Sequence, residues 1–202
     1  ANLGPGFDAL GLALGIHLEC RFRAAASLTI RVAGCDAASI PTGENNLIWQ
    51  TALKVASDNG AKIPLTEIEI DNAIPLGKGL GSSAAALTAG VVIADELLGV
   101  NWPRKKVLDV AARIEGHPDN VAACVLGSIV ASAIDSEGAA HAVRLELHPR
   151  YSIAVVVPDF LLPTSEARSV LPASYSREDT IFNVQRSALL ITALATGVTD
   201  AF

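Results

Sequence analysis

Apolar and polar positions alternate with a period of two over residues 28–32, 67–70 and 143–147, which predicts three strands, each with one apolar and one wet face. The run Ile153-Ala154-Val155-Val156-Val157 is apolar throughout and is closed by Pro158. Such a run predicts a strand covered on both sides, near the middle of a sheet. Elsewhere the apolar spacing is helical. Residues 47–59 precede Gly60, and residues 82–98, good helix formers preceded by serines able to cap, precede Gly99; a glycine is a common residue at a helix end. Asn101-Trp102-Pro103 opens a further helix, with Pro103 in the first turn and Val107, Leu108, Val110, Ala111 and Ile114 on one face, up to Gly116. A last helix is predicted from about Glu178 to Ala195, broken by Gly197. A domain boundary is expected near His148-Pro149-Arg150, dividing residues 1–148 from 149–202.

Composition narrows the class. With 202 residues, 50% hydrophobic and 18% charged, the chain has the profile of a packed α/β or α+β protein and not of a disordered one. The net charge is −6, and no basic run exceeds Arg104-Lys105-Lys106, so neither a nucleic acid nor an anionic membrane is expected as partner. Cys20, Cys35 and Cys124 are scattered and odd in number, which argues against a disulfide framework or a zinc site and fits a reducing cytoplasm. The most apolar stretch, 84–100, is interrupted by Asp95 and Glu96 and predicts no membrane span. The chain has no Met and begins inside a motif without a signal-like segment, so it is expected to be part of a longer protein.

The most informative segment is Pro75-Leu76-Gly77-Lys78-Gly79-Leu80-Gly81-Ser82-Ser83-Ala84-Ala85. Glycines let a backbone approach a ligand closely, and the free N–H groups and positive dipole end of the following helix suit phosphate oxygens. It is not a Walker loop, because Lys78 precedes Gly79 and Gly81 is followed by Ser82. A structural turn before a capped helix is the plain alternative. Two more segments gather polar groups. Asn2-Leu3-Gly4-Pro5-Gly6-Phe7-Asp8 can present Asn2 and Asp8 from one tight loop, and Glu115-Gly116-His117-Pro118-Asp119-Asn120 places four polar side chains around a helix end. Each could be an ordinary Asx turn or cap.

Taken together and in this order, the three segments resemble the homoserine kinase branch of the GHMP small-molecule kinase superfamily. Leu162-Pro163-Thr164-Ser165-Glu166-Ala167-Arg168 is similar to its substrate-binding segment. The resemblance implies an α+β GHMP kinase fold: an N-terminal phosphate-loop domain and a truncated, ferredoxin-like C-terminal domain. It implies ATP on Pro75 through Ala85 and Mg²⁺ on Ser83 and Glu115, hard oxygen ligands of the kind that ion takes. It places L-homoserine against Asn2, Asp8, His117, Asn120, Thr164 and Arg168. A zwitterionic alcohol needs a carboxylate for its ammonium and a guanidinium for its carboxylate, roles suited to Asp8 and Arg168. Asp8, Asp119 and Asn120 are the candidate catalytic residues, with Asp8 or Asp119 as a proton acceptor if one is needed. Asn46 and Leu47 are expected near the adenine. A cytoplasmic enzyme of threonine synthesis is implied, with a homodimer left open.

The chain departs from the branch in lacking a strand before Asn2 and a second carboxylate-binding Arg after Phe202, so this polypeptide alone is expected to turn over poorly. The rival readings are a GHMP kinase for another alcohol and a non-catalytic nucleotide-binding module; a dinucleotide-binding oxidoreductase is disfavoured by the absence of G-x-G-x-x-G spacing.

Overall fold

In the computed structural model, residues 3–160 and 164–200 are described. In chain order the elements are β1 (Leu10–Leu12), β2 (Leu18–Ala24), β3 (Thr29–Gly34), α1 (Leu47–Asp58), β4 (Thr66–Asn72), α2 (Ser82–Leu98), α3 (Arg104–Glu115), α4 (Asp119–Leu126), β5 (Ile129–Ile134), β6 (Ala140–Leu145), α5 (Thr164–Ser169) and α6 (Arg177–Thr196). The strands form two three-stranded sheets. One is antiparallel, in the order β1-β5-β6; the other has β4 at its centre, antiparallel to β2 and parallel to β3.

Alternation explains the second sheet. Thr66, Ile68, Ile70 and Asn72 of β4 are buried, while the intervening residues face outward. On the outer face Glu67 accepts hydrogen bonds from Arg23 of β2 and Arg31 of β3, and the two guanidiniums hold its carboxyl below the usual range. The inner face packs on α1 and α2, whose buried residues include Trp49, Ala52, Val55, Leu87, Val91 and Ala94, in a core continuous with α3 and α4.

The predicted helices are present, with corrected ends. Ser82 and Ser83 do not cap α2. Gly81 is its N-cap, at φ 80°, and among the described residues no side chain caps the first turn. A left-handed N-cap needs glycine there, and it leaves the serines inside the helix with the leading N–H groups unclaimed by side chains. Pro103 is the N-cap of α3 and not its first residue. Neither β1, β2 and β5 nor α4 was anticipated from sequence alternation.

The predicted central strand at 153–157 is not one. Those residues have no regular structure, and Val156 is 90% exposed. Among the described residues no strand runs beside them, so their backbone has no ladder to join; apolar composition reports a need for cover but not where the cover comes from. The described residues after β6 form two helices, and only Ala193 of α6 is buried. That helix is tied to the start of the chain by Asn183 and Ser187, which both donate to the Pro5 carbonyl.

Asn72 couples the sheet to the loop beyond β4. Its amide donates to the Cys35 and Ile74 carbonyls at 2.8 and 2.9 Å and accepts from the Ile74 N–H at 3.2 Å, with no exposed surface. Asn72→Ala leaves those buried groups unpaired, and a loss of about 2–4 kcal/mol is expected in chemical denaturation; a loss below about 0.5 kcal/mol would show the network to be dispensable.

Candidate active site

One cavity, about 550 Å³, gathers most of the residues singled out from the sequence. Its floor is the loop from Pro75 to Ala84 and the start of α2; its walls carry Glu115, His117 and Asn120 on one side and Phe7, Pro158, Phe160 and Arg168 on the other. The loop is anchored at both flanks. Asp36 accepts the Leu76 N–H at 2.9 Å, and Lys78 donates to the carbonyls of Pro158 and Phe160 at 2.6 and 2.8 Å, which draws the 158–160 segment over the glycines.

The turn between α3 and α4 supplies the polar wall. Glu115 is the last residue of α3, and Gly116 reverses the chain. Asp119 opens α4 with no solvent exposure, a position where the helix dipole favours its charge. Its two oxygens are met by His117 Nδ1 at 2.9 Å and by Asn120 Nδ2 at 3.0 Å. Among the described residues the buried Asn120 Oδ1 has no partner, and it lies 3.6 Å from where a Cβ on Gly81 would stand. A buried acceptor of that kind, beside a glycine-rich helix start, is a place for a ligand donor.

Glu115 is half-buried, with His117 Nε2 3.9 Å from one of its oxygens. Burial pushes its carboxyl up from the usual 4.5; His117 draws it down, Asp119 pushes it up further, and Arg168 draws it down.

The opposite wall joins Phe7 to Pro158, Phe160 and Arg168, more than 150 positions further along the chain. Asp8 sits at φ 58° after the Gly4–Gly6 turn. Arg168 of α5 meets it with both terminal nitrogens, at 3.0 and 2.5 Å, while the guanidinium lies 4.8 Å from the centre of the Phe7 ring. Glu166 is the nearer acid in sequence, but Asp8 takes the place of partner to Arg168. Asp8, His117 and Asp119 bring one potential ligand atom each within 4.8 Å of the others, but both carboxylates already serve Arg168, His117 and Asn120.

Of the expected residues, Pro75, the loop from Gly77 to Ala84, Glu115, His117, Asn120 and Arg168 line one cavity, while Leu76 and Ala85 are not among its lining residues. Asp8 and Asp119 stand behind it, each bonded to a lining residue. Asn2 lies outside the described residues, and Thr164 opens α5 with its side chain undescribed. Asn46 is not at the cavity: its side chain caps α1 by accepting from Ile48 and Trp49 and donates to the Pro41 carbonyl. Three contributors went unnoticed in the sequence. Phe7 belongs to the first polar segment and Asp36 to no motif, and only the fold shows their reach. Gly11 of β1 is the third: a Cβ there would come within 2.3 Å of the Asp119 carbonyl oxygen, so the strand can approach α4 only as glycine.

The chain is similar in sequence and fold to known proteins. The model of the GHMP kinase N-terminal domain matches residues 46–128. The homoserine kinase of Solibacter usitatus is 67% identical over the whole chain and 66% of its own length. That of Moorella thermoacetica is 42% identical over 99% of this chain and 67% of its own. The solved homoserine kinase of Cytophaga hutchinsonii superposes with a TM-score of 0.75 at 27% identity, over 98% of this chain and 65% of that one. Streptococcus pneumoniae phosphomevalonate kinase, at 14% identity and TM-score 0.68, covering 96% of this chain and 70% of its own, shares the fold. The chain spans about two thirds of the length of the curated relatives it matches.

Two outcomes are expected from the polar wall. A carboxyl whose pKa is raised in the folded state contributes stability below its ordinary pKa of 4.5 and loses that contribution as pH rises through the raised value. Glu115→Gln should therefore melt higher than the unaltered protein at pH 7, with the gain fading below pH 4.5; equal melting at both pH values would deny the desolvation. Gly11→Ala should displace Asp119 and cost about 1–3 kcal/mol of stability, read by denaturant titration, whereas unchanged stability would mean that β1 shifts freely.

Proposed function

The chain belongs to the homoserine kinase family of the GHMP kinases, and from that membership we propose that it carries the catalytic cavity of an enzyme transferring the terminal phosphoryl group of ATP to the hydroxyl of L-homoserine. The observation that carries this reading is the single cavity in which an uncapped helix start and the polar wall of Glu115, His117, Asn120 and Arg168 face one another. Triphosphate oxygens suit the leading N–H groups of α2 and the loop from Pro75 to Ala85, and Lys78 adds a cation at the loop's rim. Arg168 and Asp8 suit the two charges of an amino acid, with His117 and Asn120 toward the hydroxyl.

Mg²⁺ fits Ser83 and Glu115, since a hydroxyl and a half-buried carboxylate that line one cavity are hard oxygen ligands of the kind that ion takes. Bound there, it would offset charge on the donor phosphates. The protein's own part is alignment: the alcohol oxygen forms the new bond to the γ-phosphorus as the bond from that phosphorus to the β-phosphate oxygen breaks, ADP leaves with the electron pair, and the alcohol proton passes to water or to an oxygen of the transferred phosphoryl group. Asp119 acts in this scheme as a positioning residue, because its whole carboxylate is occupied by His117 and Asn120 and has no exposure. Residues 1–148 form the ATP-binding domain and 149–202 the beginning of a ferredoxin-like domain; both sheets and the main core precede residue 146. Threonine synthesis in the cytoplasm belongs to the same proposal.

The test is ADP release by the full-length protein with ATP and Mg²⁺ across L-homoserine, mevalonate and galactose. Release with homoserine alone is expected, abolished by chelation and lowered on the order of 10²-fold in kcat/KM by Glu115→Gln. Nucleotide binding with no release for any alcohol would leave a binding module in place of a kinase.

A further inference from the structure

We propose that Asp36 is a positioning residue for the nucleotide: by holding the Leu76 N–H from behind, it sets the glycine loop in the shape that receives a triphosphate, without itself touching the ligand. This role rests on the reading of the loop as a phosphate site and adds to it a residue that lies outside every motif.

Asp36 follows β3 and precedes Leu76 by 40 positions, and its Oδ2 accepts the Leu76 N–H at 2.9 Å. Leu76 stands between Pro75 and Gly77, which both line the cavity, whereas neither Leu76 nor Asp36 does. The bond is therefore made on the back of the loop. Two links run beside it: the Cys35 N–H donates to the Asn72 carbonyl at 2.6 Å, and the Asn72 amide joins the Cys35 and Ile74 carbonyls. These fasten the chain as far as Ile74, and Asp36 carries the fastening into the loop. Beyond it come Gly77, Gly79 and Gly81, at φ 65°, 68° and 80°. Glycines left free have many other conformations to visit, and the tie at the far flank, from Lys78, goes to a segment that is itself exposed. Holding Leu76 restricts the loop before the nucleotide arrives, which lowers the ordering that binding would otherwise require.

Position 36 carries two unfavourable features that folding alone does not ask for. Asp36 has φ 53°, in the left-handed region that residues other than glycine seldom occupy and that is often associated with function. Its carboxylate also stands beside a loop suited to an anion, where a like charge opposes the ligand. Cys35 Sγ lies 3.6 Å from the same oxygen, and among the described residues no cation pairs with Asp36. What the carboxylate supplies is a charge-assisted acceptor for Leu76. Replacing it by an amide weakens that bond and also relieves the repulsion of phosphate, two effects of opposite sense. Removing the acceptor altogether has no such compensation in the loop.

The test compares the full-length protein with its Asp36→Gly and Asp36→Asn variants by calorimetric titration with ATP and Mg²⁺ and by steady-state kinetics in both substrates. Glycine and asparagine both tolerate the left-handed backbone of position 36, so the comparison isolates the acceptor. Asp36→Gly should weaken ATP by roughly tenfold and lower kcat/KM for ATP at least as far, while KM for L-homoserine stays within about twofold. Asp36→Asn, which keeps an acceptor for Leu76, should stay within about threefold of the unaltered protein in both measurements. Asp36→Ala, measured alongside, gives the same comparison if Asp36→Gly folds poorly. Unchanged ATP affinity without the acceptor would overturn the proposal. So would a parallel weakening of both substrates with a lower melting temperature, which would make Asp36 a structural residue, and so would an Asp36→Asn variant as impaired as Asp36→Gly. Failure of the unaltered protein to bind ATP would instead strike the reading of the loop as a phosphate site, and the role of Asp36 with it.

Discussion

The site depends on the burial of one charge. Asp119 has no solvent exposure, and a carboxylate can be held there only if its oxygens are met by donors and its charge by a favourable field. The first turn of α4 supplies the field, and His117 and Asn120 supply the donors. That demand fixes the two neighbours. Each gives one edge to Asp119, so the other edge, His117 Nε2 or Asn120 Oδ1, is directed elsewhere, toward Glu115 or the start of α2. The buried acid thus orients what the cavity presents without lining it. The close approach of β1 at Gly11 to the Asp119 backbone brings the first sheet into the same arrangement.

Facing this wall, the glycine loop rests on a different balance. A helix whose N-cap is glycine forgoes the roughly 1 kcal/mol that a capping side chain commonly contributes. The core compensates. Ala84, Leu87, Val91 and Ala94 bury one side of α2 against α1 and the sheet around β4, so the helix does not need a cap to form. Its leading N–H groups therefore remain for a ligand, held in place by Asn72 below and Asp36 beside the loop. The same residues that would raise helix stability in isolation would occupy the space an anion needs.

Much of this was legible in the sequence, for definite reasons. Residues 47–58, 82–98 and 104–115 are helices whose ends carry their own signals, and β4 alternates strictly. The three polar segments stand out because their residue strings are narrow. What the sequence did not show is pairing across distance. Arg168 has an acid two positions away, Glu166, but bonds one at position 8. Asn46 is expected near a base, but local capping uses its whole amide. The run at 153–157 satisfies the hydrophobic criterion for a central strand, yet a strand exists only with partners, and none of the described residues provides one. Gly11 has no local signal at all; the contact that requires it forms only when β1 pairs with β5 and meets α4.

The two walls differ in how firmly they are held, and that difference bears on function. The wall of Glu115, His117 and Asn120 stands on α3 and α4, whose Val107, Leu108, Ala111, Val121 and Ala122 belong to the main core. The wall carrying Arg168 stands on α5 and the 153–160 segment, which are largely exposed and fastened by polar links: Lys78 to two carbonyls and Arg168 to Asp8. Few buried apolar contacts mean a low local opening free energy, so this wall can move while the other stays fixed. Both links are ionic or charge-assisted and both end at groups that anionic or zwitterionic ligands attract. A ligand that engages Lys78 or Arg168 therefore competes directly with the bonds that fasten this wall, which couples occupancy of the cavity to the position of its less firmly packed side.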